Sequence, residues 1–177
     1  RESWSKELAG VSLSFMKITF FVEGKKSFSK TGKILFTHFG LSGPLILNLA
    51  NKVSDLLHDG VVTAVIDVYP DTDLGALEKK ILSIFDKNKN KTLKNIIKEI
   101  VPDGMNKGIM KLLEKVLDTD QKVHSISKED RKKLVHLLKA LPITIDGLMG
   151  FDRAVVADGG VALEEVGKCK GRRTESQ

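Results

Sequence analysis

One short stretch concentrates the residues able to do chemistry. Thr37-His38-Phe39-Gly40-Leu41-Ser42-Gly43-Pro44 sets an imidazole and two hydroxyls among two glycines and a proline. Glycines let a backbone approach a ligand closely. Ser42 is placed to be the N-cap of a helix with Pro44 in its first turn, where the missing N–H costs nothing. The unpaired N–H donors of such a helix start suit an anion or a carbonyl oxygen. An imidazole is the side chain best suited to donate or relay a proton under physiological conditions, which is the chemistry His38 offers. His38 and Thr37 are therefore the candidate catalytic residues, with Gly40, Ser42 and Gly43 as candidate substrate contacts. A plain tight turn, with His38 satisfied by backbone partners, accounts for the same residues without chemistry.

Asp158-Gly159-Gly160-Val161 is a second candidate, and Asp-Gly also favours a simple strand-ending turn. The other polar residues form no constellation. His58 and His124 adjoin helix boundaries and His136 lies within a helix; none has metal-ligand spacing with Cys or carboxylates, so no metal is expected. Cys169 is the only cysteine, which excludes a disulfide framework and fits a reducing, cytoplasmic setting. No paired carboxylates and no Ser-His-Asp pattern occur.

The elements that must position these residues follow from periodicity. Residues 12–22 alternate as a strand, Glu23-Gly24-Lys25-Lys26 turn, and a return strand starts at 27–29. A further strand covers 33–37. Leu45, Leu49, Val53, Leu56 and Leu57 give one face of a helix closed by His58-Asp59-Gly60. Residues 61–69 read as a buried strand stopped by Pro70. The period then becomes helical. Four amphipathic helices are marked by Leu74 to Phe85, by Leu93 to Ile100, by Met105 to Leu117, and by Leu134 to Leu141, the last opened by a capping box at Ser127. Strand character returns at 143–145, 154–157 and 161–166. Neither β part alone supplies enough strands for a stable sheet, so the two must meet and the helices are inserted between them. Trp4 anchors the first segment. No repeat and no low-complexity tract occurs.

With 177 residues, 41% hydrophobic and 29% charged, the chain has ordinary globular composition. Its start at Arg1, without methionine or a signal-like apolar stretch, suggests an excised piece. The longest uncharged run, 34–51, is broken by His38, Gly40, Gly43, Pro44 and Asn48, so a membrane span is not expected. The net charge of +6 invites nucleic acid. However, part of it lies in the basic tail 167–177, and the rest, Lys87 to Lys91 and Arg131 to Lys133, reads as solvated helix faces. Aromatics are only 6% and do not interleave with the basic residues, so stacking platforms are scarce. Nucleic acid is a disfavoured partner on this reading.

The run from Thr31 to Pro44 closely resembles a signature of the BaiN/YhiN-like flavoproteins, the NAD(P)/FAD-dependent or aminoacetone-oxidase-type oxidoreductases. Lys6-Glu7-Leu8-Ala9-Gly10-Val11-Ser12-Leu13 resembles the entry to that family's inserted domain. Gly147-Leu148-Met149-Gly150-Phe151-Asp152, with Ala154, Val155, Val156, Gly159, Gly160 and Val161, resembles its exit. Ala157 departs from the family's usual threonine, and 167–177 does not resemble its continuation.

The resemblance implies an α+β fold: a small β-barrel of the reductase and elongation-factor kind, formed by 1–70 and 142–166, with a four-helix subdomain at 71–141. It implies a soluble, cytoplasmic, bacterial-type parent in which flanking segments of the same polypeptide bind FAD, with NAD(P)H as co-substrate. No G-x-G-x-x-G turn occurs here, so the isolated chain is expected to hold no flavin. The implied role is a substrate-side insert that shapes a small-molecule pocket, with the 37–44 loop facing the flavin and with Gly159, Gly160 and Val161 touching it. Reduction of an activated double bond and oxidation of an amine both remain open. The alternatives are a basic nucleic-acid-binding module and a purely structural or oligomerisation insert.

Overall fold

A computed structural model describes residues 3–149. The expected strands at 154–157 and 161–166, the Gly159-Gly160-Val161 contacts and the basic tail lie outside the described residues.

The sheet begins as a hairpin of β1 (Ser12–Val22) and β2 (Lys25–Thr37). Glu23 and Gly24 both take positive φ, 48° and 74°. That pair closes a two-residue turn whose twist matches the strands, so Lys25 pairs directly with Val22. The return strand therefore starts two residues earlier than expected. It also runs unbroken through Gly32, where two separate strands were expected. Gly32 is a packing position, not a break: a Cβ there would lie 3.2 Å from the Cβ of Leu45. β1 bulges between Leu13 and Met16, where Phe15 takes φ 59° and stands 72% exposed.

β3 (Gly40–Ser42), α2 (Pro44–Asp59) and β4 (Val62–Asp67) follow, and β5 (Leu141–Ile145) comes last. The strand order is β3-β2-β1-β4-β5, antiparallel throughout. The sheet curls as a half-barrel. Among the described residues its edges β3 and β5 do not pair, so the expected full barrel is not closed by them. One face is core. Met16, Ile18, Phe20, Ile34, Phe36, Val62, Ala64, Ile66 and Ile143 are buried, while Lys17, Thr31, Lys33 and Thr144 on the other face are exposed.

Between β4 and β5 stand α3 (Leu74–Lys87), α4 (Leu93–Ile100), α5 (Asn106–Leu113) and α6 (Lys128–Lys139). Each buries the apolar stripe its period predicts. Ser127 caps α6 by accepting from Asp130 N–H at 3.0 Å. Two boundaries differ from expectation. α5 ends at Leu113 and leaves Val116 49% exposed, and Leu141 opens β5 instead of facing inward from α6. The short α1 (Ser3–Lys6) docks on α5 at Gly108, where a Cβ would sit 2.7 Å from Leu8 and 2.9 Å from the Trp4 carbonyl oxygen. Trp4 itself is fully buried against Phe36.

One polar cluster ties the helices to the sheet. Lys139, ending α6, donates to the carbonyls of Tyr69 and Thr72 at 2.7 and 2.8 Å and pairs with Asp67 Oδ2 at 2.6 Å. Tyr69 N–H donates to the other Asp67 oxygen, and the Tyr69 hydroxyl donates to the Ile100 carbonyl. The Lys80 ammonium lies 4.9 Å from the Tyr69 ring centre. No helix among the described residues is long and apolar enough to cross a membrane.

Candidate functional site

The 37–43 segment is a β-hairpin between β2 and β3, joined to the start of α2. The expectation of a single strand-to-helix junction is corrected, because Gly40, Leu41 and Ser42 pair back onto Thr37, Phe36 and Leu35. Thr37 builds the tip. Its Oγ1 accepts from the N–H groups of Phe39 and Gly40 at 3.3 and 3.2 Å and donates to the Gly40 carbonyl at 3.0 Å. The Thr37 hydroxyl proton is thus committed within the turn. His38 and Phe39 are held out at the tip, Phe39 63% exposed.

Ser42 is not the N-cap of α2. Gly43 is, with φ 97° and no side-chain cap, and Pro44 follows in the first turn. The cause is a close approach. A Cβ on Gly43 would lie 2.9 Å from the Leu35 nitrogen and 3.1 Å from the Lys33 oxygen, so the helix start rests against the backbone of β2. Only a residue without Cβ, able to take positive φ, fits there.

Four of the five predicted residues in this segment therefore serve the backbone locally. Thr37 closes the tip, Gly40 and Ser42 pair in β3, and Gly43 admits the helix. His38 alone is presented outward, with no side-chain hydrogen bond or ion pair among the described residues. Gly159, Gly160 and Val161 lie outside the described residues. Gly40, Ser42 and Gly43 do not fit a dinucleotide seat: the space at Gly43 is filled by β2, and Gly40 and Ser42 are held in the ladder. No three His, Cys, Asp or Glu side chains among the described residues group to hold a metal. Two surface hollows lie on the helices, one lined by Lys98, Pro102 and Gly104, the other by Lys94, Ile97 and Lys107; neither touches the hairpin.

The structure also brings together residues that the sequence reading kept apart. Lys89, Asn90 and Lys91 are not on a helix face but in the turn between α3 and α4, with Lys122 beside them. The alternation of lysine with asparagine, a turn-forming residue, is the local signal for that turn. The approach of Lys122 has no local signal.

Residues 1–156 match the family described as the HI0933-like protein barrel and H2TH domain. The chain belongs to the HI0933-like family. That family is flavoprotein-related and is associated with FAD-dependent oxidoreductase-like proteins. A curated relative is the ribosomal RNA dihydrouridine synthase of Haemophilus influenzae (strain ATCC 51907 / DSM 11121 / KW20 / Rd). It is 29% identical over 155 residues, which is 87% of this HI0933-like chain and 34% of that protein.

Proposed function

We propose that this HI0933-like chain is the substrate-side domain of a FAD-dependent oxidoreductase that reduces a pyrimidine base within RNA. Segments flanking it in the intact protein hold the FAD, and NADH or NADPH supplies the electrons. The observation that carries this reading is the similarity, along most of the chain, to a relative named for dihydrouridine in ribosomal RNA. Dihydrouridine differs from uridine by two hydrogens across the C5–C6 bond, a double bond activated by conjugation to a carbonyl. Of the two reactions left open by the sequence, that name favours double-bond reduction over amine oxidation. It also reverses the weight the sequence placed against nucleic acid.

In this reading a hydride adds to one carbon of the base and a proton to the other. His38, at the exposed hairpin tip, is the group of this chain offered for the proton. Thr37 holds the tip in shape, and Gly43 fixes the hairpin relative to α2. The domain would cover the reacting base and exclude water.

The test is to incubate the intact protein with NADPH and unmodified ribosomal RNA transcript, then to weigh the nucleosides by mass spectrometry. The expected product is a uridine heavier by two hydrogens. His38→Gln is expected to lower the rate about a hundredfold while leaving the visible flavin spectrum unchanged. A flavin-loaded protein that oxidises NAD(P)H with small enones, or oxidises small amines with NAD(P)+ or oxygen as acceptor, but leaves every uridine intact would rule the RNA substrate out.

A further inference from the structure

The corner where the α3–α4 turn meets the segment before α6 gathers five exposed lysines: Lys87, Lys89, Lys91, Lys94 and Lys122. Two chain segments some thirty residues apart are pinned together there. Val123 N–H donates to the Lys91 carbonyl at 3.0 Å, Leu93 N–H to Gln121 at 3.3 Å, and Lys94 N–H to Thr119 at 3.1 Å. Thr92 and Lys122 form an isolated antiparallel bridge. His124 Nδ1 meets the Lys89 carbonyl at 2.8 Å. Beneath the turn, the buried Asn88 donates its side-chain amide to the Ile84 carbonyl and to Glu99, at 3.0 and 3.1 Å. The backbone at Lys89, Lys91, Lys94 and Lys122 is therefore tied down by hydrogen bonds.

The charges themselves are largely unanswered. Lys89 is 3.8 Å from Asp86, with both side chains well exposed, an arrangement worth little in water. Lys87, Lys91, Lys94 and Lys122 have no ion-pair partner among the described residues. Asp118 and Asp120 border the corner, and with Asp86 and Glu99 they set four carboxylates against the five lysines. Cations remain in excess.

We propose that this corner is a contact for the phosphate backbone of structured RNA, a role that rests on the RNA reading above. Lysines on a rigid turn suit phosphates, which carry charge at regular spacing and need no base-specific geometry. No aromatic side chain occurs between Lys87 and Lys122, so the corner would position the RNA and not read its bases. The base-reducing chemistry stays with the hairpin.

The test measures binding of a fluorescein-labelled RNA hairpin to the full chain by anisotropy across a salt series. The corner variant carries Lys89→Glu, Lys91→Glu and Lys122→Glu. A control of equal charge change carries Lys79→Glu, Lys128→Glu and Lys132→Glu, all exposed on α3 and α6. The corner variant is expected to bind about tenfold more weakly or worse, and its log–log salt slope to shrink by about 2, while the control moves far less. Should the Glu variant melt early, the Lys→Gln triple is expected to show the same loss of slope. Equal losses in corner and control variants would overturn the corner and leave the RNA reading standing. A wild-type chain with no salt-dependent RNA binding would remove both.

Discussion

At the scale of single residues, Gly43 has the most exacting position in the described chain. It combines φ 97° with backbone atoms of Leu35 and Lys33 where a Cβ would go. A methyl group there cannot be relieved by rotating a side chain, because its neighbours are main chain. Gly43→Ala is expected to cost about 2–3 kcal/mol in urea unfolding. Gly40→Ala meets no atom within 4 Å of its Cβ and is expected to cost less. Equal costs would mean that the contact between α2 and β2 is looser than the geometry shows. Thr37 and His38 were legible in the sequence as members of one loop, and they are neighbours in the hairpin. The separate duties of Ser42 and Gly43 were not legible. N-cap preference favours serine, and a close backbone approach leaves no trace in local pattern.

Helices were easier to read than strands, for a physical reason. Each of α3 to α6 buries a stripe at 3.6-residue spacing, which lies within one short window of sequence. β2 depends on partners elsewhere. Its residues were expected as two strands, at 27–29 and 33–37, whereas they form one, with α2 resting on Gly32. A similar close fit governs α1 and α5, where Gly108 lets Leu8 and the Trp4 carbonyl approach. Gly108→Ala would be neutral or stabilising in an isolated helix, since alanine is the better helix former. Here it is expected to destabilise by about 1–3 kcal/mol, because α1 must move outward. Thermal melts of the single variant and of Leu8→Ala/Gly108→Ala distinguish the causes. Partial rescue in the double variant is the expected result, and none would place the strain elsewhere.

Across the whole molecule, the join between sheet and helices passes through Asp67, Tyr69, Lys139 and Ile100. Burial raises the pKa of the Tyr69 phenol above its ordinary value. Its hydroxyl also donates to Ile100, which requires the protonated form. The neutral phenol is therefore favoured by folding. Its contribution is complete below the unfolded value near 10 and is lost as pH rises through the folded one. Unfolding free energy is expected to fall as pH rises above about 10, and Tyr69→Phe to flatten that fall. Identical alkaline slopes in both proteins would show that the phenol is not the group responsible. This join was invisible in sequence because its members are spread over β4, the loop after it, α4 and α6. The lysine corner was hidden in the same way: half of it was read as a solvated helix face, and Lys122 was not associated with it.

The position of β5 in chain order has a consequence for the protein as it is made. β4 leaves the ribosome with β1 already available on one side, but its other edge stays open until Leu141–Ile145 emerges behind four helices. An open strand edge invites pairing with other nascent chains. The helices, whose backbone hydrogen bonds are local, can form during that interval while the β4 edge stays open. A ribosome stalled before residue 141 would thus release a polypeptide with structured helices and an adhesive sheet.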